Sequence, residues 1–376
     1  MTEATTDKLS EELSEAQQLA QIRDQIDAID AQIQELITLR AECAQKVADI
    51  KTQGGKVEAV FYRPEREAQV LRAVKERNHS LLPDNEMARL FREIMSACLA
   101  LEQPLTVAYL GPEGSYSHAS VIKQFGSSAH PLAVSTLEEV FATVERGEAN
   151  YGIVPVENSS EGVVKATETE LLKSKLTVSG EVDLAIHHCL LSKSSELDAV
   201  RKVVAHSQAL GQCQQWLKNN MPWVEVEAVA SNALAAKMAQ EDGSLGAIAS
   251  EQAAQLYGLQ ILESNIEDQR DNTTKFWVVG RESTQPSGAD KTSMIVSIHN
   301  KSGALLELLS CFANRNISMT RIVSRPSNNK KWDYLFFIDV LGHQADEALQ
   351  QALQEVKDKA SFFKLLGSYP ISPLDA

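Results

Sequence analysis

Apolar positions recur with helical spacing over a long N-terminal run. Leu19, Ile26 and Ile33 interleave with Ile22, Ile29, Leu36, Cys43 and Ile50 in four-three steps, and Val47 rejoins the first series. No Gly or Pro interrupts the run before Gly54, so the pattern predicts one helix from Leu19 to Lys51, roughly 50 Å long. A helix of that length outreaches a small core and calls for a helical partner. Arg40 breaks the pattern, standing at the seam position between Ile33 and Val47. An unpaired guanidinium there would cost on the order of 3 to 5 kcal/mol, so an anion is expected to meet it. Lys51 lies about 16 Å further along the axis and within roughly 20° of Arg40, close enough to converge on one small dianion. Arg23 is about 25 Å from Arg40 and reaches that anion only from an antiparallel copy in a second subunit. The plainer reading, a coiled coil with solvated charges on its flanks, leaves Arg40 unexplained.

Two shorter helices follow. Pro64 opens one within Tyr62-Arg63-Pro64-Glu65-Arg66-Glu67, running to about Glu76. Pro83-Asp84-Asn85 caps the next, whose apolar side is Met87, Leu90, Phe91, Ile94, Met95, Cys98, Leu99 and Leu101, ending before Pro104. Residues 19–103 are thus expected to be all helical. From Leu105 the period switches to strand and helix in alternation, with strands expected at 105–110, 151–156, 176–182, 185–191, 202–205, 224–229, 245–249 and 276–279, an α/β arrangement. The segment 282–290, with Ser, Pro and Gly, reads as a linker. Beyond it the order is strand (292–299), helix opened by Gly303, strand (317–323), strand (333–341), helix (345–359) and strand (362–369), an α+β ferredoxin-like pattern.

Composition narrows the function classes. A chain of 376 residues, 43% hydrophobic and 23% charged, supports several cores. Its first residues, Met1 to Glu15, carry no basic start and no apolar run, and 1–18 read as a loose tail. No run of 18 apolar residues marks a membrane span. Five cysteines without a C-x-x-C pair fit reduced thiols, a cytoplasmic setting and no zinc site. A net charge of -15 disfavours nucleic acid, and an anionic substrate would need locally gathered cations, which the first helix supplies. Hydroxyl and amide residues gather just after strands: Ser115 and Ser117, Asn158 to Ser160, Ser207 and Gln208, Ser231 and Asn232, Thr273 and Thr274. Each alone is an ordinary helix cap, but five such places in one domain point to a cleft that offers N–H groups to carboxylates. The G-x-G-x-x-G spacing is absent, so no nicotinamide cofactor is implied.

Three resemblances then cover the chain in order. The helical region 19–103 resembles the all-helical class of chorismate mutases, with Arg23, Arg40, Lys51, Arg66 and Glu67 at the family's substrate-contact positions, and Cys98 and Glu102 where its best-known members carry Ser and Gln. Residues 104–281 resemble prephenate dehydratase through Tyr109-Leu110-Gly111-Pro112-Glu113-Gly114-Ser115-Tyr116-Ser117, Val154-Pro155-Val156-Glu157-Asn158-Ser159, His188-Cys189-Leu190 and Asn272-Thr273-Thr274-Lys275-Phe276. Lys275 stands where that family has Arg, keeping the charge and losing the bidentate fork. Residues 291–376 resemble the ACT regulatory domain, and Gly303-Ala304-Leu305-Leu306 and Ser324-Arg325-Pro326 match its phenylalanine-binding segments, with Val323 in place of the usual Glu.

Together these resemble the bifunctional P-protein family. That likeness implies a multidomain enzyme with an all-α mutase domain, a two-lobed α/β dehydratase domain and an ACT domain. Its substrates would be chorismate and prephenate, with phenylalanine as feedback effector, no cofactor and at least a homodimer. Thr274 is then the candidate donor to the leaving hydroxyl, with Ser115, Asn158, Ser159, Ser207 and Gln208 lining the cleft beside Lys275 and Phe276. Lys51 and Glu102 would face the ether oxygen of chorismate. Two rivals remain: an amino-acid sensor without chemistry, which has no need of Arg40 in a helical seam, and a dehydratase that prefers arogenate.

Overall fold

A computed structural model describes residues 15–53, 62–299, 301–326 and 334–374. Residues 1–14 of the expected tail and the Gly54–Gly55 break lie outside them. The chain divides between Phe61 and Tyr62 into two compact units.

The described residues of the first unit form one helix, α1 (Glu15–Gln53). Its apolar seam is uncovered in the single chain, with Ile29 53%, Leu36 66% and Ile50 71% exposed.

The second unit begins with α2 (Pro64–Glu76) and α3 (Asp84–Glu102), joined by a short turn. Pro64 fits the first turn of α2 because its missing N–H is unpaired there anyway. Tyr62 packs against Phe125 and Tyr151, tying the start of this unit to the core that follows.

That core belongs to a first lobe: β1 (Thr106–Leu110), α4 (Tyr116–Phe125), β2 (His130–Val134), α5 (Leu137–Glu145), β3 (Tyr151–Asn158), β4 (Gly162–Val163), α6 (Lys165–Lys173) and β5 (Thr177–Ala185). The second lobe contains β6 (Cys189–Ser192), β7 (Lys202–His206), α7 (Ser207–Gln212), α8 (Gln214–Asn220), β8 (Glu225–Val229), α9 (Asn232–Glu241), β9 (Leu245–Ala249), α10 (Glu251–Tyr257) and β10 (Gln260–Glu263). The chain then returns to the first lobe as β11 (Thr273–Gly280), antiparallel between β3 and β5. The sheets run β2-β1-β3-β11-β5, with β4 beside β3, and β10-β6-β9-β7-β8. Two passages between lobes leave a cleft at the C-terminal strand ends, where open α/β sheets bind ligands.

The two-lobed α/β expectation holds, with local differences. The break expected between strands 176–182 and 185–191 falls later, since β5 continues to Ala185 and β6 begins at Cys189, with Ile186 to His188 turning at the cleft. Strand β2 was not anticipated: it contains Pro131, and its side chains show no buried alternation.

The last part is β12 (Asp290–Ile298), α11 (Ala304–Ala313), β13 (Met319–Pro326), β14 (Tyr334–Leu341), α12 (Glu347–Lys359) and β15 (Phe362–Pro370), in sheet order β13-β14-β12-β15. This is the ferredoxin-like order. One face holds α11 and α12 through Leu308, Phe312, Leu349 and Val356. The other packs Ile295, Phe337, Leu366 and Tyr369 onto Val178, Trp277 and Val279 of the first lobe. At Gly367, with φ of +145°, a Cβ would run into the Val178 carbonyl, so glycine permits the close approach of the two sheets.

The 282–290 segment is anchored along its length. Thr177 donates to the Glu282 carbonyl at 2.9 Å, Thr284 donates to the Ser368 carbonyl, and Arg72 of α2 donates to Ser287 Oγ at 2.8 Å. Among the described residues no helix is long and apolar enough to cross a membrane.

Candidate active site

The cleft between the lobes encloses about 500 Å³. Ser115 and Ser117 follow β1, Asn158 ends β3, His206 and Gln208 lie at the end of β7, and Ser231 and Asn232 follow β8. Thr274 enters from the opposite direction, near the start of β11, and pairs with Asn158 in the ladder. Ser115 and Ser231 cap α4 and α9 through their Oγ atoms, accepting from the His118 and Leu234 amides at 3.3 and 3.1 Å. Capping and cleft lining thus fall on the same residues. The described lining residues include no Lys or Arg. An anion here would meet hydroxyls, amides and helix N-termini.

The central polar contact is between Asn158 and Thr274. Asn158 Nδ2 donates to Thr274 Oγ1 and to Asn272 Oδ1, both at 2.8 Å, while its Oδ1 accepts the backbone amides of Ser160 and Glu161 at 3.0 Å. Both ends of the amide are therefore committed. Thr274 Oγ1 accepts, which leaves its own O–H free to point into the cleft.

Ser115, Asn158, Gln208 and Thr274 line the cleft as expected from sequence; four others do not. Ser159 braces the strand crossing, its Oγ accepting the Thr273 amide at 3.0 Å. Ser207 is the exposed first residue of α7. Lys275 alternates to the other face of β11, where Asp183 at 3.1 Å and Glu181 at 3.4 Å hold it. Burial opposes its charge, but those carboxylates raise its pKa overall. Phe276 shares Thr274's face but lies one pleat deeper, sealed in the core with Tyr109 and Phe125.

Sequence reasoning gave no role to a buried network on the second-lobe side. His188 Nε2 lies 2.8 Å from Gln212 Oε1, and Nδ1 lies 2.8 Å from the Tyr116 hydroxyl. Burial pushes the imidazole below its ordinary pKa, favouring the neutral form. The Tyr116 hydroxyl also donates to the His187 carbonyl at 2.8 Å, so its one proton is shared between that oxygen and His188 Nδ1. Glu267 receives the His188 amide at 2.8 Å and His187 Nδ1 at 2.9 Å. Burial pushes its carboxyl up, but these hydrogen bonds outweigh that and hold it below the usual range. The His188-Cys189-Leu190 block was the available signal.

Comparison with known proteins decides what this architecture belongs to. Residues 22–103 match the chorismate mutase type II family, 107–284 prephenate dehydratase and 292–358 the ACT domain. A bifunctional chorismate mutase/prephenate dehydratase from Stutzerimonas stutzeri is 49% identical, over 95% of this chain and 99% of the relative. The chain belongs to the bifunctional chorismate mutase/prephenate dehydratase family. Among solved structures, a prephenate dehydratase from Arthrobacter aurescens in complex with L-Phe aligns at 30% identity and a TM-score of 0.65, covering 71% of this chain and 90% of that one. GqqA, described as a novel type of quorum quenching acylase, aligns at 29% identity and a TM-score of 0.66, covering 72% of this chain and all of that one.

The mutase positions are spread over three helices. Arg23, Arg40 and Lys51 stand on α1, Arg66 and Glu67 on α2, and Cys98 and Glu102 on α3. Arg66 is exposed and Cys98 buried. Glu67 turns inward to Arg92 Nε at 2.8 Å, in an ion pair buried at both ends. Burial raises its pKa while Arg92 opposes the rise. Arg92 Nη1 also donates to the Lys123 carbonyl at 2.9 Å and to that of Gln124, capping the C-terminal turn of α4. Glu67 is thus committed to an internal cation in this structure.

In the ACT domain, Gly303 has φ of +80° at the start of α11, followed by buried Ala304 and exposed Leu305 and Leu306. Ser324 and Pro326 point outward from β13. Arg325 points inward, donating to Thr169 Oγ1 at 3.1 Å beside Glu168 at 3.6 Å. Val323 lies on that inner face, packed against the core shared with the first lobe, where a Glu would have no room to stay hydrated.

Proposed function

We propose that the two enzymatic activities of this chain divide between its helices and its two-lobed body, with Thr274 acting as donor in the second reaction. The observation that carries this reading is Thr274, inside the cleft, accepting from Asn158 at 2.8 Å. Prephenate loses its ring carboxylate as CO2. The electron pair of that C–C bond enters the ring as the C4–O bond breaks, giving phenylpyruvate, and the departing hydroxide takes one proton to become water. The free O–H of Thr274 meets the negative charge as it builds on the departing oxygen. The side-chain carboxylate of prephenate is held by first-turn N–H groups of α4 and α9, aided by Ser115 and Gln208. The absence of cationic side chains from the described lining leaves the ring carboxylate weakly stabilised, which favours its loss.

The first reaction is a rearrangement that restraint alone can accelerate. Arg40 and a second copy's Arg23 grip the two carboxylates of chorismate, with Lys51 and Glu102 at the ether oxygen and Arg66 and Cys98 nearby. The uncovered seam of α1 supports a dimer through this helix, since an apolar stripe tens of ångströms long seeks a partner. Phenylalanine is the effector, a reading supported by the L-Phe complex of the related dehydratase. It binds at Gly303 to Leu306 and Ser324 to Pro326. All five cysteines are free thiols, consistent with work in the cytoplasm.

The test is phenylpyruvate formation from chorismate by the purified protein, with and without phenylalanine, and with arogenate offered in place of prephenate. Conversion that phenylalanine suppresses is expected. Ligand binding without turnover would instead make the protein a sensor.

A further inference from the structure

Strand β13 alternates so that Arg321, Val323 and Arg325 share the face turned toward the two-lobed body. Arg321 is the most enclosed of the two arginines, its side chain 9% exposed. Its Nε donates to Glu157 Oε2 at 2.7 Å, and its guanidinium carbon lies 5.8 Å from the centre of the Trp277 ring. Nη1 and Nη2 are buried with no hydrogen-bond partner among the described residues. Asp339 of β14 and Glu168 of α6 also feel its charge. A regulatory-domain cation has thus been carried out of water to reach one carboxylate of the dehydratase sheet.

That carboxylate is adjacent to the chemistry. Glu157 immediately precedes Asn158 on β3, and successive strand residues face opposite ways. Asn158 therefore looks into the cleft while Glu157 looks toward β13. The pairing of β3 with β11 also slips at this point: Lys275 opposes Glu157 and Phe276 opposes Pro155, leaving Val156 as an extra residue. Such bulges bend a strand and re-aim the side chains beside them. Thr167 Oγ1 holds the Pro155 carbonyl on one side of the bulge at 2.6 Å, and Arg321 holds Glu157 on the other.

We propose that Arg321 is a positioning residue of the dehydratase: its ion pair with Glu157 sets the aim of the β3 bulge, and through it Asn158 and Thr274. Dehydration then depends on where β13 stands. The strand that carries Ser324 to Pro326 connects to the catalytic hydroxyl through one ion pair and one amide, so an effector that shifts β13 relaxes the aim of Thr274. The inference rests on the proposed donor role of Thr274.

The experiment compares Arg321→Met, Arg321→Lys and Glu157→Ala in the full chain, measuring dehydratase kcat and KM, mutase rate and thermal unfolding. Arg321→Met is expected to lower dehydratase kcat about 10- to 100-fold, as a slightly misaimed group does, with KM moved far less and the mutase rate unchanged. Arg321→Lys should recover part of the loss, and Glu157→Ala should reproduce it without adding to it in the double variant. A simple loss of packing would lower the unfolding temperature without splitting kcat from KM. Should Arg321→Met fail to fold, Glu157→Ala carries the test, because Glu157 is 37% exposed, its truncation opens no core cavity, and the Arg321 charge still acts on Asp339 and Glu168. Wild-type kcat in Glu157→Ala, or a loss confined to KM, overturns the proposal. Thr274→Val run alongside separates the two ideas: if it remains active, the donor reading itself has failed.

Discussion

Asn158→Asp tests the cleft chemistry with almost no change of shape. Oδ1 of Asn158 receives two backbone amides at 3.0 Å, and a carboxylate oxygen keeps both. The change falls on Nδ2, which donates at 2.8 Å to Thr274 Oγ1 and to Asn272 Oδ1. A carboxylate there accepts only, so the Thr274 O–H turns to it and away from the substrate. The cleft loses one aimed donor to a departing oxygen, worth about 2.7–4 kcal/mol, or roughly 10²–10³ in kcat. The Asn272 amide can rotate to donate to the new oxygen, so the fold survives. Stopped assays of phenylpyruvate at saturating prephenate, with chorismate consumption as internal standard, measure the effect. Saturation matters because the added charge also raises KM for an anionic substrate. Thr274→Val should show the same kcat loss, and the double variant no more than either alone, since the two residues act as a unit. An Asn158→Asp enzyme within about threefold of wild-type kcat, or losses that multiply in the double variant, would refute the donor geometry; threefold is only about 0.65 kcal/mol.

Mixing Arg23→Ala and Arg40→Ala chains should restore part of the mutase activity that each lacks alone, because one site of a mixed dimer keeps both arginines; no recovery after verified subunit exchange counts against a shared site. Arg92→Met removes the internal partner of Glu67 and should cost about 3 kcal/mol in urea unfolding, near the lower end for a broken buried pair because Glu67 can take up a proton. Glu355 is held at a pKa of about 2, below its ordinary 4.5, by hydrogen bonds from Lys359 and Arg315. A depressed carboxyl contributes stability above its unfolded pKa and loses it as pH falls through the folded one. The stability difference between wild type and Glu355→Gln should therefore shrink from about pH 4.5 and vanish near pH 2, and a difference independent of pH would contradict this.

Local pattern alone determined a good deal about this protein. The four-three seam of α1, the Pro-opened start of α2 and the shift at Leu105 from helical period to strands alternating with helices are short-range signals, and each element formed close to its expected place. The ferredoxin-like order of the last part was legible for the same reason. Hydroxyl and amide residues clustered at strand ends suggested a cleft, the family resemblance picked out individual residues, and Ser115, Asn158, Gln208 and Thr274 lie in the cleft lining. What could not be read depends on partners distant in sequence. Strand β11 lies between β3 and β5 only because the chain crosses to the second lobe and returns, and that insertion puts Thr274 beside Asn158. It also turns Lys275, which the family resemblance set beside the cleft, toward Glu181 and Asp183. Nothing near Glu67 in sequence marks Arg92 of α3 as its partner. The 282–290 segment has a linker's composition, yet Thr284 bonds to Ser368 and Arg72 to Ser287. Arg321 drew no notice as one polar residue on an edge strand, since nothing near it in sequence marks its pairing with Glu157, 164 residues away. Spacing along the chain encodes which face of an element is apolar, but a charged side chain's role depends on what it meets once water is excluded, and only tertiary packing decides that.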